Sequence, residues 1–254
     1  FEKRTVKAQQ LMQQNGLDAL LLTTETNVRY FTGFLTRFWE SPTRPWYLII
    51  PNKGKPIAVI PSIGEALMSK TWIDDIRTWP SPDLNDDGIS LLSDTLNEVA
   101  KNKNVGIPSG TETYIRIPQN DLKKLSRNVN LTPDFDIVQK LRMTKSKEEI
   151  YKIEKACEIA EKAFRRVPEI AFKNVHLDEI FRKFQILCLE AGADWVPYLA
   201  GGADTEGYDD VISPAKEIPL KTGDILMLDT GIVWDGYFCD YDRNWSVGTP
   251  SKIV

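Results

Sequence analysis

A single histidine, His176, and three cysteines, Cys157, Cys188 and Cys239, are the only imidazole and thiol groups that this 254-residue sequence could offer a transition metal. His176 has no metal-ligand partner at i+4 and stands just before a helical pattern, so it reads as a helix-start residue rather than a catalytic one. The cysteines are odd in number, widely spaced and set among apolar residues. That excludes a disulfide framework and a thiolate zinc site and leaves buried structural thiols. No stretch reaches the ~18 consecutive apolar residues of a membrane span, and the N-terminus lacks the apolar core of a signal peptide. A membrane partner is therefore not expected, and the reducing cytoplasm is the expected setting. Basic residues form no run, and 32 Lys and Arg against 36 Asp and Glu give a net charge of −4, so a nucleic-acid partner is not expected either. Gly201-Gly202 belongs to no G-x-G-x-x-G pattern and reads as a bend, not a phosphate cradle. The chain opens on Phe1 rather than Met, so an end is expected to have been cut, processed or left out.

What is present suffices for two cores, since 42% of residues are apolar and a chain of this length can bury them without cross-links. Val6, Leu11 and Met12 give residues 4–15 a helical pattern that Gly16 stops, where a left-handed cap is easiest for glycine. Ala19–Leu22, Tyr47–Ile50 and Ile57–Ile60 read as buried strands, with a hairpin turn at Asn52–Lys55. Ile89–Val99 reads as a helix, Val105–Ile107 as a strand and Asn120–Leu125 as a helix. This alternation predicts an α/β domain over residues 1–134, closed by a seam at Thr132-Pro133-Asp134.

A second domain is expected over 135–254. Ser146 and Glu149 form a capping box, and Ile150, Ile153, Cys157, Ala160, Phe164 and Val167 recur at helical steps. A second helix runs from Leu177 to about Ala191 and is closed by Gly192. The order helix, helix, strand, strand predicts an α+β fold with helices on one face of an antiparallel sheet.

The last strands carry the chemistry. Ile225–Leu228 is apolar throughout yet ends on Asp229-Thr230-Gly231, and a carboxylate there is costly unless paired or bound. Trp234-Asp235-Gly236 supplies a hairpin turn, and along the return strand Asp240, Asp242 and Asn244 alternate with Tyr241 and Arg243. Aspartates on adjacent strands offer hard oxygen ligands that can bridge divalent ions about 3.5–4 Å apart. On spacing alone a plainer reading also stands, in which Asp229 caps a turn and Asp240 pairs with Arg243 or a lysine.

Asp229-Thr-Gly, ten intervening residues and Asp240-Tyr-Asp-Arg243 resemble the paired-aspartate motif of the creatinase, aminopeptidase P and prolidase family of pita-bread metallohydrolases. Asn27–Phe34 resembles that family's N-terminal signature, Leu141–Ile150 its interdomain seam, and Pro219–Asp224 the turn into the first ligand strand. The resemblance implies a creatinase-like α/β N-terminal domain and an α+β pita-bread catalytic domain, here incomplete. It further implies two divalent metal ions (manganese, cobalt or zinc), with Asp229 binding one and Asp240 bridging both. The implied activity is a hydrolase of the Xaa-Pro dipeptidase or aminopeptidase type, in which a metal-held hydroxide attacks the peptide bond of a short, possibly proline-containing substrate. The family also implies a homodimer, and N-terminal loops like the one holding Trp39, Arg44 and Trp46 can restrict substrate size at a neighbour's site. The plainer reading of that loop is a surface loop with partly buried aromatics.

Three departures from the family matter. Its remaining ligands, a histidine and two glutamates, are expected beyond Val254, so residues 1–254 alone are predicted to be inactive, with no catalytic residue of their own. No histidine lies near Ile212, where many members place one on the substrate side. Asp242 and Asn244 replace threonines that commonly follow the second ligand; Asp242 is expected, with Arg243, to orient the metal-binding groups from behind, the alternative being that Asp242 is an extra ligand. The alternatives are a creatinase-like hydrolase of a non-peptide C–N bond and a non-catalytic pita-bread module that binds proteins.

Overall fold

Strands in which every residue is apolar need cover on both faces, and the first part of the chain supplies it. The computed structural model describes residues 1–40, 45–205, 207–250 and 252, and the chain divides into two units, Phe1–Thr144 and Lys145–Val254. In the first, the strands β1 (Ala19–Leu22), β2 (Tyr47–Pro51), β3 (Ile57–Pro61), β4 (Asp75–Trp79), β5 (Asn104–Ile107) and β6 (Asn130–Pro133) form one sheet in the order β4-β3-β2-β1-β5-β6. The β1–β2 and β2–β3 pairs are antiparallel and the others parallel. Helices α1 (Glu2–Gln14), α2 (Glu25–Thr32), α3 (Glu65–Met68), α4 (Ile89–Val99), α5 (Gln119–Leu125) and α6 (Ile137–Met143) accompany it. Leu20, Leu22, Leu48 and Ile50 pack with α1, α2, α3 and α6, while Ala19, Leu21, Tyr47 and Ile49 pack with α4 and α5. Period-two alternation thus fills a core on each face of the sheet.

The seam expected at Thr132-Pro133-Asp134 is instead structured. Thr132 and Pro133 lie in β6, an edge strand, where proline's missing N–H costs no ladder bond. Asp134 is buried and accepts the backbone N–H groups of Asp136 and Val138 at the start of α6. Ile137 and Val138 of α6 belong to the first core, so that unit continues past the expected boundary at 134/135 to Thr144. Within it, Arg142 Nη1 donates to Asn27 Oδ1 at 2.9 Å, joining two of the stretches that carry the family resemblance.

The second unit begins with the capping box. Ser146 Oγ accepts from Glu149 N at 3.3 Å and Glu149 Oε2 accepts from Ser146 N at 2.9 Å. Helices α7 (Lys147–Arg165), α8 (Val167–Ile170) and α9 (Leu177–Glu190) follow, then β7 (Leu199–Asp204), β8 (Ile225–Thr230), β9 (Val233–Trp234), β10 (Tyr237–Phe238) and β11 (Tyr241–Ser246). β11, β8 and β7 form an antiparallel sheet in that order, and β9 and β10 form a separate two-stranded hairpin. Ala160, Ala163 and Phe164 of α7 and Ile180, Phe184 and Leu187 of α9 bury Leu226 and Leu228 of β8, and Trp245 of β11 stacks on Phe164. Helices therefore cover one face of an antiparallel sheet, as expected. Among the described residues no helix is long and apolar enough to cross a membrane.

Two local expectations are corrected. Gly201-Gly202 is not a bend but the middle of β7; a Cβ on Gly201 would lie 2.3 Å from the Met227 carbonyl oxygen, so the close approach of β7 to β8 needs glycine. The return strand is not continuous either. It breaks at Cys239 and Asp240, so Asp240 stands just before β11 rather than inside it.

Candidate metal centre

Period two decides which side of β8 carries charge. Leu226 and Leu228 face the helices, which leaves Met227 and Asp229 on the other face. In register, Asp229 lies between Ala200 of β7 and Asp242 of β11. Its neighbour on one flank is the small Ala200 and on the other the carboxylate of Asp242.

Asp240 reaches the same place by another route. The turn Asp235-Gly236 has φ of 45° and 76°, the paired positive values of a two-residue hairpin turn, so the chain reverses tightly between β9 and β10 and runs into Asp240. Tyr198, directly before β7, joins the two aspartates. Its Oη donates to Asp240 Oδ1 at 2.8 Å and lies 3.4 Å from Asp229 Oδ1. The ring has room because residue 231 is glycine, where a Cβ would lie 2.7 Å from Tyr198 Cε1 and 2.6 Å from the Cys239 carbonyl oxygen. Thr230 Oγ1 donates to the Tyr198 carbonyl and fixes its backbone.

The electrostatics follow from this crowding. The Asp229 carboxyl is held above its ordinary value, first by burial, then by the charge on Asp240 and further by Asp242; the Tyr198 hydrogen bond offsets part of this. Burial also raises the Tyr198 phenol, and its hydrogen bond to Asp240 adds to the effect, so it stays a neutral donor at physiological pH. Among the described residues no Lys, Arg or His forms an ion pair with Asp229, Asp240 or Asp242. Arg243, a candidate partner of Asp240, instead donates to the Asp242 carbonyl at 2.6 Å and lies over the Tyr241 ring. Two carboxylates with one neutral donor and no cation form an acceptor set suited to a hard divalent ion. It is a partial set, since no group of three His, Cys, Asp or Glu side chains among the described residues has metal-binding geometry.

The other candidates fall elsewhere. Trp39 and Trp46 are buried at 2% exposure each, in the core of the first unit with their ring centroids 5.7 Å apart. Arg44 lies outside the described residues. His176 is exposed at the start of α9, and the cysteines are unpaired thiols, Cys188 and Cys239 buried and Cys157 half-buried. Tyr198 was not singled out in the sequence, because no motif spacing marks it; its one signal is an aromatic hydroxyl directly before a strand containing a glycine pair.

A mixed α/β unit followed by three helices and an antiparallel sheet carrying paired aspartates defines the class. Residues 4–144 match the Creatinase/Prolidase N-terminal domain and residues 151–254 the metallopeptidase family M24. The chain belongs to the creatinase/prolidase family of metallopeptidases. It is 26% identical to a Xaa-Pro dipeptidase of Pyrococcus furiosus over 99% of this chain and 67% of that protein. It is 27% identical to the uncharacterized peptidase YqhT of Bacillus subtilis over 96% of this chain and 65% of that protein. The solved prolidase of Pyrococcus horikoshii superposes with a TM-score of 0.80 at 22% identity, covering 98% of this chain and 66% of that one. The fold is thus the expected α/β creatinase-like domain followed by part of an α+β pita-bread domain. The chain spans about two thirds of the length of the curated relatives it matches.

Proposed function

We propose that this protein is a metal-dependent peptidase of the Xaa-Pro dipeptidase or aminopeptidase type, in which Asp229 would hold one divalent ion and Asp240 would be shared by two. Manganese, cobalt or zinc would suit the site. The observation that carries the reading is the pair of unneutralised carboxylates joined through Tyr198 Oη, within a chain whose family is that of prolidases and metallopeptidases. When bound, such ions lower the pKa of water toward neutrality and polarise a carbonyl.

The chain's own residues set the frame for that chemistry. Asp229 contributes its carboxylate from β8 and Asp240 from the short link between β10 and β11. Tyr198 holds its proton toward Asp240 Oδ1, which orients that carboxylate and leaves its other oxygen free to bind. Asp242 adds a third carboxylate across from Asp229 and is assigned an orienting role. Arg243 takes part only through the Asp242 backbone, and its contacts do not support a role at the metal.

Short peptides, some with proline second, are the proposed substrates, in line with the relative named as a Xaa-Pro dipeptidase. A homodimer belongs to the same proposal. The unpaired thiols support a reducing, cytoplasmic setting. As an isolated polypeptide, residues 1–254 are proposed to be inactive, because two carboxylates cannot neutralise two divalent ions or fix their geometry.

The test is hydrolysis of Xaa-Pro dipeptides by the complete gene product before and after chelation. Activity lost on chelation and restored by manganese or cobalt supports the proposal. Hydrolysis indifferent to chelation contradicts the metal reading, and metal binding without hydrolysis of any short peptide contradicts the peptidase reading.

A further inference from the structure

Glu149 does two jobs in the second unit. It is buried at 5% exposure near the start of α7, and its two carboxylate oxygens face different partners. Oε2 accepts the Ser146 N–H and closes the capping box, and Oε1 accepts the Tyr237 hydroxyl at 3.0 Å. Tyr237 is the first residue of β10, the short strand that runs directly into Asp240.

That hairpin needs outside anchors. β9 and β10 have two residues each and lie outside the three-stranded sheet, and so small a hairpin does not hold its own position. The β9 side is tied through the backbone, where Val233 N donates to the Trp195 carbonyl and Asp194 N to the Val233 carbonyl. The β10 side is tied by side chains to α7. Tyr237 reaches Glu149, and the turn residue Asp235 pairs with Lys152 Nζ at 2.7 Å. Beyond Tyr237 the path to the ligand is short and constrained, since Cys239 is buried and its N–H donates to the Ile232 carbonyl.

We propose that Glu149 is a positioning residue for Asp240, a helix-capping carboxylate that also anchors, through Tyr237, the strand that delivers the bridging ligand. This rests on the metal reading of Asp229 and Asp240 proposed above. A residue that holds a ligand's backbone in place affects metal affinity without touching the ion, typically by about 10–100-fold. The capping bond and the Tyr237 bond use separate oxygens, so substitution can separate them.

The experiment measures Mn²⁺ affinity by calorimetry, the Co²⁺ absorption spectrum and the thermal midpoint on the complete gene product. Tyr237→Phe, which removes only the hydroxyl, is expected to weaken Mn²⁺ binding about tenfold and to alter the Co²⁺ spectrum. Ser146→Ala, which removes the hydroxyl that accepts from Glu149 N and keeps the backbone N–H that Glu149 Oε2 accepts, is expected to lower the thermal midpoint and leave affinity and spectrum unchanged. Glu149→Gln, which keeps one oxygen to accept from Ser146 N or from the Tyr237 hydroxyl and turns the other acceptor into a donor, should weaken Mn²⁺ binding less than Glu149→Ala, and affinity unchanged in Glu149→Ala overturns the proposal. Unchanged affinity and spectrum in Tyr237→Phe overturn the proposal, as does equal weakening by Ser146→Ala. If the unaltered protein binds neither ion, the metal reading itself falls and this proposal with it.

Discussion

Tyr198 Oη donates to Asp240 Oδ1 at 2.8 Å and lies 3.4 Å from Asp229 Oδ1, so one neutral hydroxyl spans the carboxylate at the end of β8 and the one just before β11. A phenol whose pKa is raised stays protonated, and it can share its single proton with only one acceptor at a time. The pair therefore keeps at least three carboxylate oxygens without a proton donor from Tyr198, which is the condition a divalent ion needs.

Removing that hydroxyl tests its orienting role. Tyr198→Phe keeps the ring against Gly231 and should cost about 1 kcal/mol of stability or less. Metal affinity of the complete protein should fall about tenfold, as read by equilibrium dialysis. Unchanged affinity would mean that the aspartates are oriented without the Tyr198 hydroxyl.

Asp229 predicts a pH-dependent effect in metal-free protein. Its folded-state pKa is raised above 3.8 by burial and by the charges of Asp240 and Asp242. A raised carboxyl contributes stability that is fully present below 3.8 and is lost as pH rises through the folded value. Asp229→Asn should therefore melt higher than the unaltered protein at neutral pH, by under about 1 kcal/mol because solvent screens the group. The advantage should shrink as pH falls toward 3.8, and with metal present the order should reverse. An Asn variant less stable than the unaltered protein in chelator at neutral pH contradicts this account.

Strand β7 depends on Gly201. A Cβ there would lie 2.3 Å from the Met227 carbonyl oxygen, a backbone atom that cannot rotate away. Gly201→Ala should destabilise the second unit by about 1–3 kcal/mol in urea denaturation. A neutral substitution would show that β7 and β8 stand farther apart in solution.

The thiols should differ in reactivity. Burial, and then the neighbouring Cys239, pushes the Cys188 thiol from 9.0 up to about 12, while Cys157 is only half-buried. Mild alkylation at pH 8 followed by peptide mapping should label Cys157 first and Cys188 only after denaturation. Early labelling of Cys188 would place it at a surface.

The strongly periodic segments were legible in the sequence: α7 with its Ser146–Glu149 box, the all-apolar strands around Leu21 and Ile49, and the delivery of Asp229 by β8. Less legible was whatever depends on contacts distant in sequence. β6 looked like a seam because Pro133 suggests a break, yet an edge strand tolerates proline where its N–H is not needed. Gly201-Gly202 looked like a bend because local preference gives glycine to turns, whereas here the missing side chains admit a neighbouring strand. Tyr198 could not be found from spacing, because its hydroxyl meets aspartates 31 and 42 residues away. Trp39 and Trp46 read as loop aromatics and proved to be core, packed against each other and Phe34 in the first unit.

The central claim is that Asp240 bridges divalent ions, and metal content measures it most directly. The complete gene product and its Asp240→Ala variant should be purified in parallel, loaded with manganese, freed of excess and analysed by elemental mass spectrometry. The account predicts two bound ions per chain in the unaltered protein and loss of both in the variant, whose circular dichroism stays that of a folded protein. Equal metal content in the two proteins would contradict it.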